Sequence, residues 1–284
     1  MILIADGGST KTSWCLVNNE GRETYFETEG YNPYFVDSSY ILRSLHESLP
    51  PHLKADKVTS VSFYGAGCGS EKDSVVMEAL QVVFANARVE VAMDLVAAAR
   101  ALLGSTAGFA AILGTGTNTC LYDGREIIQN IDSLGFILGD EGSGGAMGKR
   151  FLGDYIRGLL PQELSEIFVK TYDLSPAEII DQIYSKPMAN RFCAGFSKFI
   201  YDHLEFDYAT NLVRSNFDTF FSSLVSKYPD YTSYSFNCIG SVGFSFRPIL
   251  EKSAASFGMP VGRVLKSPMP GLVSYHMELA GCHQ

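Results

Sequence analysis

The chain opens with a short apolar run, Ile2–Ala5, breaks at DGGSTKT, and resumes an apolar run at Ser13–Val17. Short runs bounded by Gly, Ser and Thr predict two strands around a turn. Asn18-Asn19-Glu20-Gly21 is a hairpin signal, so Arg22–Thr28 is expected as a third strand. Ile41, Leu42, Leu45 and Leu49 recur at helical spacing, predicting a helix over Tyr40–Leu49 that Pro50-Pro51 stops. Val58–Tyr64 reads as a strand running into GAGCGS, Asp73–Phe84 as an amphipathic helix, and Arg88–Met93 as a strand ending at Asp94. An Ala-rich helix, Leu95–Leu103, follows. The pattern then restarts. Phe109–Leu113 is a strand, Gly114-Thr115-Gly116-Thr117 a turn, Asn118–Tyr122 a strand, Asp123-Gly124 a tight turn and Arg125–Gln129 a third strand. Helical spacing dominates residues 145–228, punctuated by Pro161, Pro176 and Pro187. Ser235–Ile239 is a strand ending in GSVG, Phe244–Phe257 a helix, Arg263–Lys266 a last strand and Gly271–Ala280 a closing helix. Strands and helices in alternation place the chain in the α/β class.

The restart is informative. ADGGSTKTSWCLVNNEGRE and AAILGTGTNTCLYDGREI share one plan: an apolar run, a Gly/Ser/Thr turn, a second apolar run and a polar turn. Such turns suit anion capture. Glycine lets the backbone approach closely and adopt φ > 0, so several N–H groups converge on one phosphate, and hydroxyls add donors. Either turn alone could be an ordinary β-turn. Two of them, opening two halves and facing each other across a cleft, could grip a polyphosphate from both sides. Other phosphate signatures fail. GSGGAMGKR, Gly142–Arg150, misses the spacing of a Walker loop, and no GxGxxG follows a strand.

Composition narrows the class. At 284 residues with 46 % hydrophobic content, the chain can build one large domain or two ordinary ones. A net charge of −9 argues against nucleic acid or an anionic membrane as partner. Any bound anion must be met locally, by backbone N–H groups and a few cations such as Lys11. MILIADGG has no basic leader region, and no apolar stretch approaches the ~20 residues of a membrane helix, so a cytoplasmic protein is expected. Cys15, Cys68, Cys120, Cys193, Cys238 and Cys282 show no ligand spacing and read as reduced, buried thiols. His46, His52, His203, His276 and His283 show no paired spacing, which speaks against zinc.

A strand, DGG-S/T-TKT, then another strand resembles the first phosphate loop of the actin/hexokinase/heat-shock-chaperone superfamily. Asp94 at the head of MDLVAAARAL, LGTGTN at Leu113–Asn118, LGDEGSGG at Leu138–Gly145 and GSVG at Gly240–Gly243 follow in order. Together they resemble the N-acetylglucosamine kinase branch, grouped with the BadF/BadG/BcrA/BcrD-type ATPases. The resemblance spans nearly the whole chain. It implies two actin-like, RNase H-like lobes, 1–107 and 108–270, the second carrying the helical segment 145–228, with residues 271–284 packing back on the first.

It also implies ATP, Mg²⁺ and phosphoryl transfer to an amino-sugar hydroxyl, and a possible homodimer. Phosphoryl transfer needs positioning and charge neutralisation more than covalent chemistry. On this resemblance Asp6 holds Mg²⁺ through water. Gly7, Gly8, Ser9, Thr10, Lys11 and Thr12 meet the phosphates, and Thr115, Gly116 and Thr117 close from the other lobe. Gly240, Ser241 and Gly243 lie under adenine and ribose, unless they are a plain strand-to-helix turn. Asp94 is the candidate general base; the same position also suits a helix N-cap. Asn32 in GYNPY matches a sugar-binding Asn, and also reads as a turn residue before Pro33. Asp140 matches a carboxylate taking sugar hydroxyls, and with Glu141 also reads as a solvated turn. Thr115, Asn118 and Gly144 are further substrate candidates. Leu134 stands where the family has a Trp; it can pack on a sugar face but offers no aromatic ring. Two other functions remain open: an ATPase of the acyl-CoA dehydratase/reductase activator type, which needs convergent cysteines that Cys120 and Cys193 do not frame, and a non-catalytic sugar-sensing protein.

Overall fold

A computed structural model describes residues 1–8, 11–51, 53–69 and 71–281. The first apolar runs form β1 (Ile2–Gly7), β2 (Lys11–Val17) and β3 (Glu23–Glu29), an antiparallel meander. Both strands of the first hairpin run nearer the turn than the apolar pattern predicts, because the ladder continues to the pair Gly7 and Thr12. Next come α1 (Ser38–Ser48), β4 (Ser60–Gly65), α2 (Asp73–Val83), β5 (Arg88–Met93) and α3 (Asp94–Leu103). Asp37 caps α1 by accepting the Tyr40 N–H at 2.7 Å. The sheet order is β3-β2-β1-β4-β5, with β1, β4 and β5 parallel. The strands' carboxyl ends, Gly7, Gly65 and Met93, therefore lie in one row.

Alternation divides the side chains of this sheet between two faces. Leu3, Ala5, Trp14, Val61 and Phe63 form a core with residues of α1 and α2. Trp14 stacks on Phe26 and donates its indole N–H to Thr28 Oγ1 at 3.0 Å, which satisfies the one polar atom the ring buries. The opposite face carries Ile4, Cys15 and Tyr64, all buried, and meets α3 and the chain's last helix, Met269–Leu279. Met1–Thr106, Gly124–Glu126 and Pro268–Gln284 make up this first compact unit.

The second unit, Ala107–Asp123 with Ile127–Ser267, repeats the plan. It holds β6 (Gly108–Leu113), β7 (Thr117–Tyr122), β8 (Ile127–Asn130), β9 (Phe236–Ile239) and β10 (Val261–Leu265). Its order, β10-β9-β6-β7-β8, is the first sheet's order: a meander with two parallel strands added beside its first strand. The helices are α4 (Gly135–Leu138), α5 (Gly144–Ile156), α6 (Gln162–Tyr172), α7 (Pro176–Tyr184), α8 (Ala189–Gly195), α9 (Ser197–Asp202), α10 (Asp207–Ser223), α11 (Ser241–Ser245) and α12 (Arg247–Ser256). The closing helix is α13 (Met269–Leu279).

The α/β class and the duplicated five-stranded plan follow the sequence reading. One expectation needs correction: Phe244–Phe257 is not a single helix. It breaks at Phe246, because Pro248 sits in the first turn of α12, where its missing N–H costs nothing. GSVG also belongs largely to a helix rather than to a turn. The core of this unit is aromatic, with Phe151, Phe168, Phe199, Phe220, Phe221 and Phe236 all buried. All five cysteines among the described residues are free and buried; Cys282 lies outside them. No described helix is long and apolar enough to cross a membrane.

Candidate functional site

In open α/β sheets, ligands are held off the carboxyl ends of parallel strands. In the first unit, Asp6 sits one residue before the end of β1, and Asp94 follows the end of β5 as the first residue of α3. Burial and the neighbouring Asp94 charge push the Asp6 carboxyl up to about 6, and Lys11 pulls it down. Burial likewise raises Asp94, opposed by hydrogen bonds from its own N–H and that of Leu95. Asp94 does not cap α3 in the usual way. Met93 occupies the cap position, with no side-chain cap bond, and the Asp94 carboxylate folds onto the first N–H groups of the helix. An anion there is favoured by the helix dipole. Asp94 is thus anchored to its own helix and keeps a raised proton affinity.

The rest of the first loop divides by exposure. Lys11 is mostly solvent-exposed and pairs with Glu27 at 2.5 Å. Gly7 is packed rather than open: a Cβ there would lie 2.6 Å from the Phe63 ring. Gly8 closes the turn by donating its N–H to Lys11 O at 2.9 Å. Thr12 is fully buried, and its hydroxyl has no hydrogen-bond partner among the described residues. Ser9 and Thr10 lie outside the described residues.

Asn32 is buried, and its Oδ1 accepts the Tyr34 N–H at 3.0 Å, so the turn before Pro33 is real. The same side chain rests on the loop after β4, where a Cβ on Gly67 would meet Asn32 Oδ1 at 2.6 Å. Gly67 has φ +82°, so both its conformation and this close approach require glycine. The loop GAGCGS is a signal the sequence displays; its glycines mark the contact, but nothing local names Asn32 as their neighbour.

In the second unit, the turns after β6 and β9 adjoin. A Cβ on Gly240, φ +129°, would lie 2.2 Å from Leu113 O, so only glycine lets the two turns touch. Gly243 is equally confined, 2.8 Å from Cys238 Sγ by the same construction. Asp140 binds the Gly114–Thr117 turn from below. It is 7 % exposed, which excludes a solvated turn, and adopts φ 58°, a left-handed conformation that Asp tolerates at functional sites. Its Oδ1 accepts the Thr117 N–H at 3.2 Å and the Ser133 hydroxyl at 3.1 Å. Burial raises the Asp140 carboxyl, and those two donors oppose the rise. A Cβ on Gly116 would press on the same carboxylate, 3.0 Å from Oδ2.

Thr117 is turned inward, its hydroxyl donating to Glu141 O at 2.7 Å. Thr115 is the exposed member of the turn. Gly144 also serves the turn from inside, its N–H donating to Gly114 O at 2.8 Å. Asn118 Oδ1 takes the Thr119 N–H at 3.0 Å and Asn130 Nδ2 at 2.9 Å. Leu134 stands apart from this hydrogen-bonded set, left-handed at φ 61° and 60 % exposed. Ser241 borders a cavity of about 340 Å³ whose other wall includes Ser197, Lys198 and Tyr201. Sequence reading did not single out these three, nor Ser133. Their signal is tertiary, since α9 lies far from GSVG along the chain.

Among the described residues no three His, Cys, Asp or Glu side chains cluster as a metal cage. An ion held by Asp6 would complete its shell with water and ligand oxygens. Mg²⁺ accepts that donor set, and the raised Asp6 carboxyl marks a place where added positive charge is favourable.

No family model matches this sequence, and no curated protein matches it. Solved structures do. A Porphyromonas gingivalis protein named "Putative N-acetylglucosamine Kinase" is 44 % identical, over 98 % of this chain and 99 % of that one, with a TM-score of 0.93. A protein of the same name from Chromobacterium violaceum is 17 % identical, over 96 % and 98 % of the two chains, with a TM-score of 0.65. A ROK family glucokinase from Streptomyces griseus, in complex with glucose and AMPPNP, is 16 % identical over 96 % and 97 %, with a TM-score of 0.59. The two distant matches show the fold alone. The first, at its identity and coverage, shows the family: this chain belongs to the N-acetylglucosamine kinase-like family.

Proposed function

We propose that this protein is an ATP-dependent sugar kinase acting on N-acetylglucosamine or a close amino-sugar relative. The observation that carries the reading is the pair Asp6 and Asp94, two carboxylates in electrostatic contact at the carboxyl edge of one sheet, both raised by burial. The name of the Porphyromonas gingivalis relative supports the substrate class, and the AMPPNP bound to the Streptomyces griseus glucokinase supports ATP.

In this reading Asp94 accepts the proton of the attacking sugar hydroxyl as the new O–P bond forms and the bond to the ADP oxygen breaks. Its raised proton affinity suits a base working near neutral pH. Asp6 holds Mg²⁺, which when bound would neutralise phosphate charge. Gly8 and Lys11 face the phosphates from the first loop, with Ser9 and Thr10 between them. Thr115 and Gly116 do so from the second loop, which Thr117, Asp140 and Gly144 hold in shape. Gly240, Ser241 and Gly243 shape the bed for adenosine, with the cavity beside Ser241 taking the base. Asn32, Asn118 and the outer oxygen of Asp140 take sugar hydroxyls.

The test is ADP release from Mg-ATP across a panel of amino sugars, with Asp94→Asn beside the wild type. Turnover with one amino sugar, reduced at least about 10²-fold in Asp94→Asn while ATP still binds, is the expected result. Slow ATP hydrolysis indifferent to every sugar would overturn it.

A further inference from the structure

The kinase reading leaves one feature of the second unit unused. Residues 134–138, LGFIL, form a turn and a single helical turn, α4, that shows its apolar side chains to solvent. Ile137 is 84 % exposed and Leu138 75 %. With Leu134, Phe136, Met188 and Asn190 they line a groove of about 580 Å³, in which Asn190 offers the one polar side chain. The segment is held in place. Lys149 Nζ donates to Phe136 O at 2.6 Å and lies 4.7 Å from the Phe136 ring centre. The Asp140 N–H donates to Ser133 O at 2.9 Å, closing the loop at its base. Exposed apolar clusters that are rigidly presented mark binding surfaces.

We propose that this groove receives the N-acyl substituent of the amino-sugar substrate and accepts chains longer than acetyl. The proposal rests on the kinase reading above. Two observations choose this occupant. The groove starts at Leu134, one residue from Ser133, whose hydroxyl is bonded to the carboxylate assigned to sugar hydroxyls. A ligand with a polar ring and a short apolar arm satisfies both neighbours at once. The lining is apolar save for Asn190, which suits an acyl arm, an alkyl chain with one polar group at its root. The apolar lining, from Leu134 through Ile137 and Leu138 to Met188, is more than an acetyl methyl can cover, since that group is comparable in size with a water, ~30 Å³.

The experiment compares glucosamine with its N-acetyl, N-butyryl and N-hexanoyl derivatives, by ADP release and by calorimetric binding to the wild type. N-Butyrylglucosamine is expected to match or exceed N-acetylglucosamine in kcat/KM, through a lower KM. In Ile137→Asp and Met188→Asp, both at exposed positions, the ratio of KM for N-butyrylglucosamine to KM for glucosamine is expected to rise at least about tenfold. A kcat/KM that falls steadily beyond acetyl in the wild type, or variants that shift every sugar equally, would overturn the groove assignment while leaving the kinase intact. If no sugar turns over, the kinase reading fails, and the calorimetric series still decides the groove: weaker binding with each added methylene rejects it.

Discussion

Burial and the Asp94 charge hold the Asp6 carboxyl near 6, against 3.8 for a free aspartate. The native state therefore binds this proton more tightly than the unfolded chain does. The stability linked to it is present below pH 3.8 and is lost as pH rises through about 6. Asp6→Asn should consequently raise stability at pH 8, by about 1–2 kcal/mol once partial exposure is allowed for, and change it little at pH 4. Thermal denaturation at the two pH values checks the sign, and Mg²⁺ should stabilise the wild type more than the variant. A stabilising substitution at a site is the usual mark of a residue kept for function. At this scale the sequence was eloquent about identity and quiet about surroundings. It singled out Asp6, Asp94 and Asp140 as carboxylates at strand ends and turns. It left open whether Asp140 was a solvated turn, because exposure depends on what packs from elsewhere, here Ser133 and the Gly114–Thr117 turn.

Helices α5 and α8 touch closely enough that one glycine decides the contact. A Cβ on Gly148 would lie 1.8 Å from Cys193 O, a backbone atom that cannot swing aside. Five positions on in the same helix, a Cβ on Gly153 would meet only the tip of Arg157, at 3.1 Å. Gly148→Ala is expected to cost about 3 kcal/mol or to prevent folding. Gly153→Ala is expected to be neutral or to stabilise by up to about 1 kcal/mol, because alanine loses less backbone entropy in a helix. Urea denaturation of the two variants separates these outcomes; equal effects would refute the close approach. At the element scale, periodicity located the strands and helices well where flanking Gly, Pro or Asn gave a physical stop. It failed at Phe244–Phe257, where an apolar run continues through Phe246 but Pro248 starts a new helix.

Across the whole chain, the last helix completes the first unit. His276 Nε2 lies 2.8 Å from the hydroxyl of Tyr64, 212 positions earlier. Arg100 donates to the same hydroxyl at 2.6 Å and to Glu90 at 2.8 Å, and its guanidinium also lies 5.3 Å from the Tyr275 ring. Burial, with the Arg100 charge, lowers His276 from 6.5 to about 4, and Glu90 opposes that fall. The unfolded chain thus takes this proton first. Stability is complete above pH 6.5 and declines as pH falls toward 4. His276→Gln should flatten that part of the Tm–pH curve between pH 7 and 5; an unchanged slope would place the titration elsewhere. What the sequence determined by itself was local and repeated: two meanders, each with a Gly/Ser/Thr turn, each extended by helices and parallel strands. Apolar period, glycine freedom and proline geometry act between near neighbours, so they are legible in one dimension. Tertiary structure alone decided which far segments meet. It set Gly67 against Asn32, Gly240 against Leu113, Asp140 beneath Thr117 and His276 upon Tyr64. It also decided burial, and with it every raised or lowered proton affinity, because desolvation is set by all the atoms packed around a group and not by its neighbours along the chain.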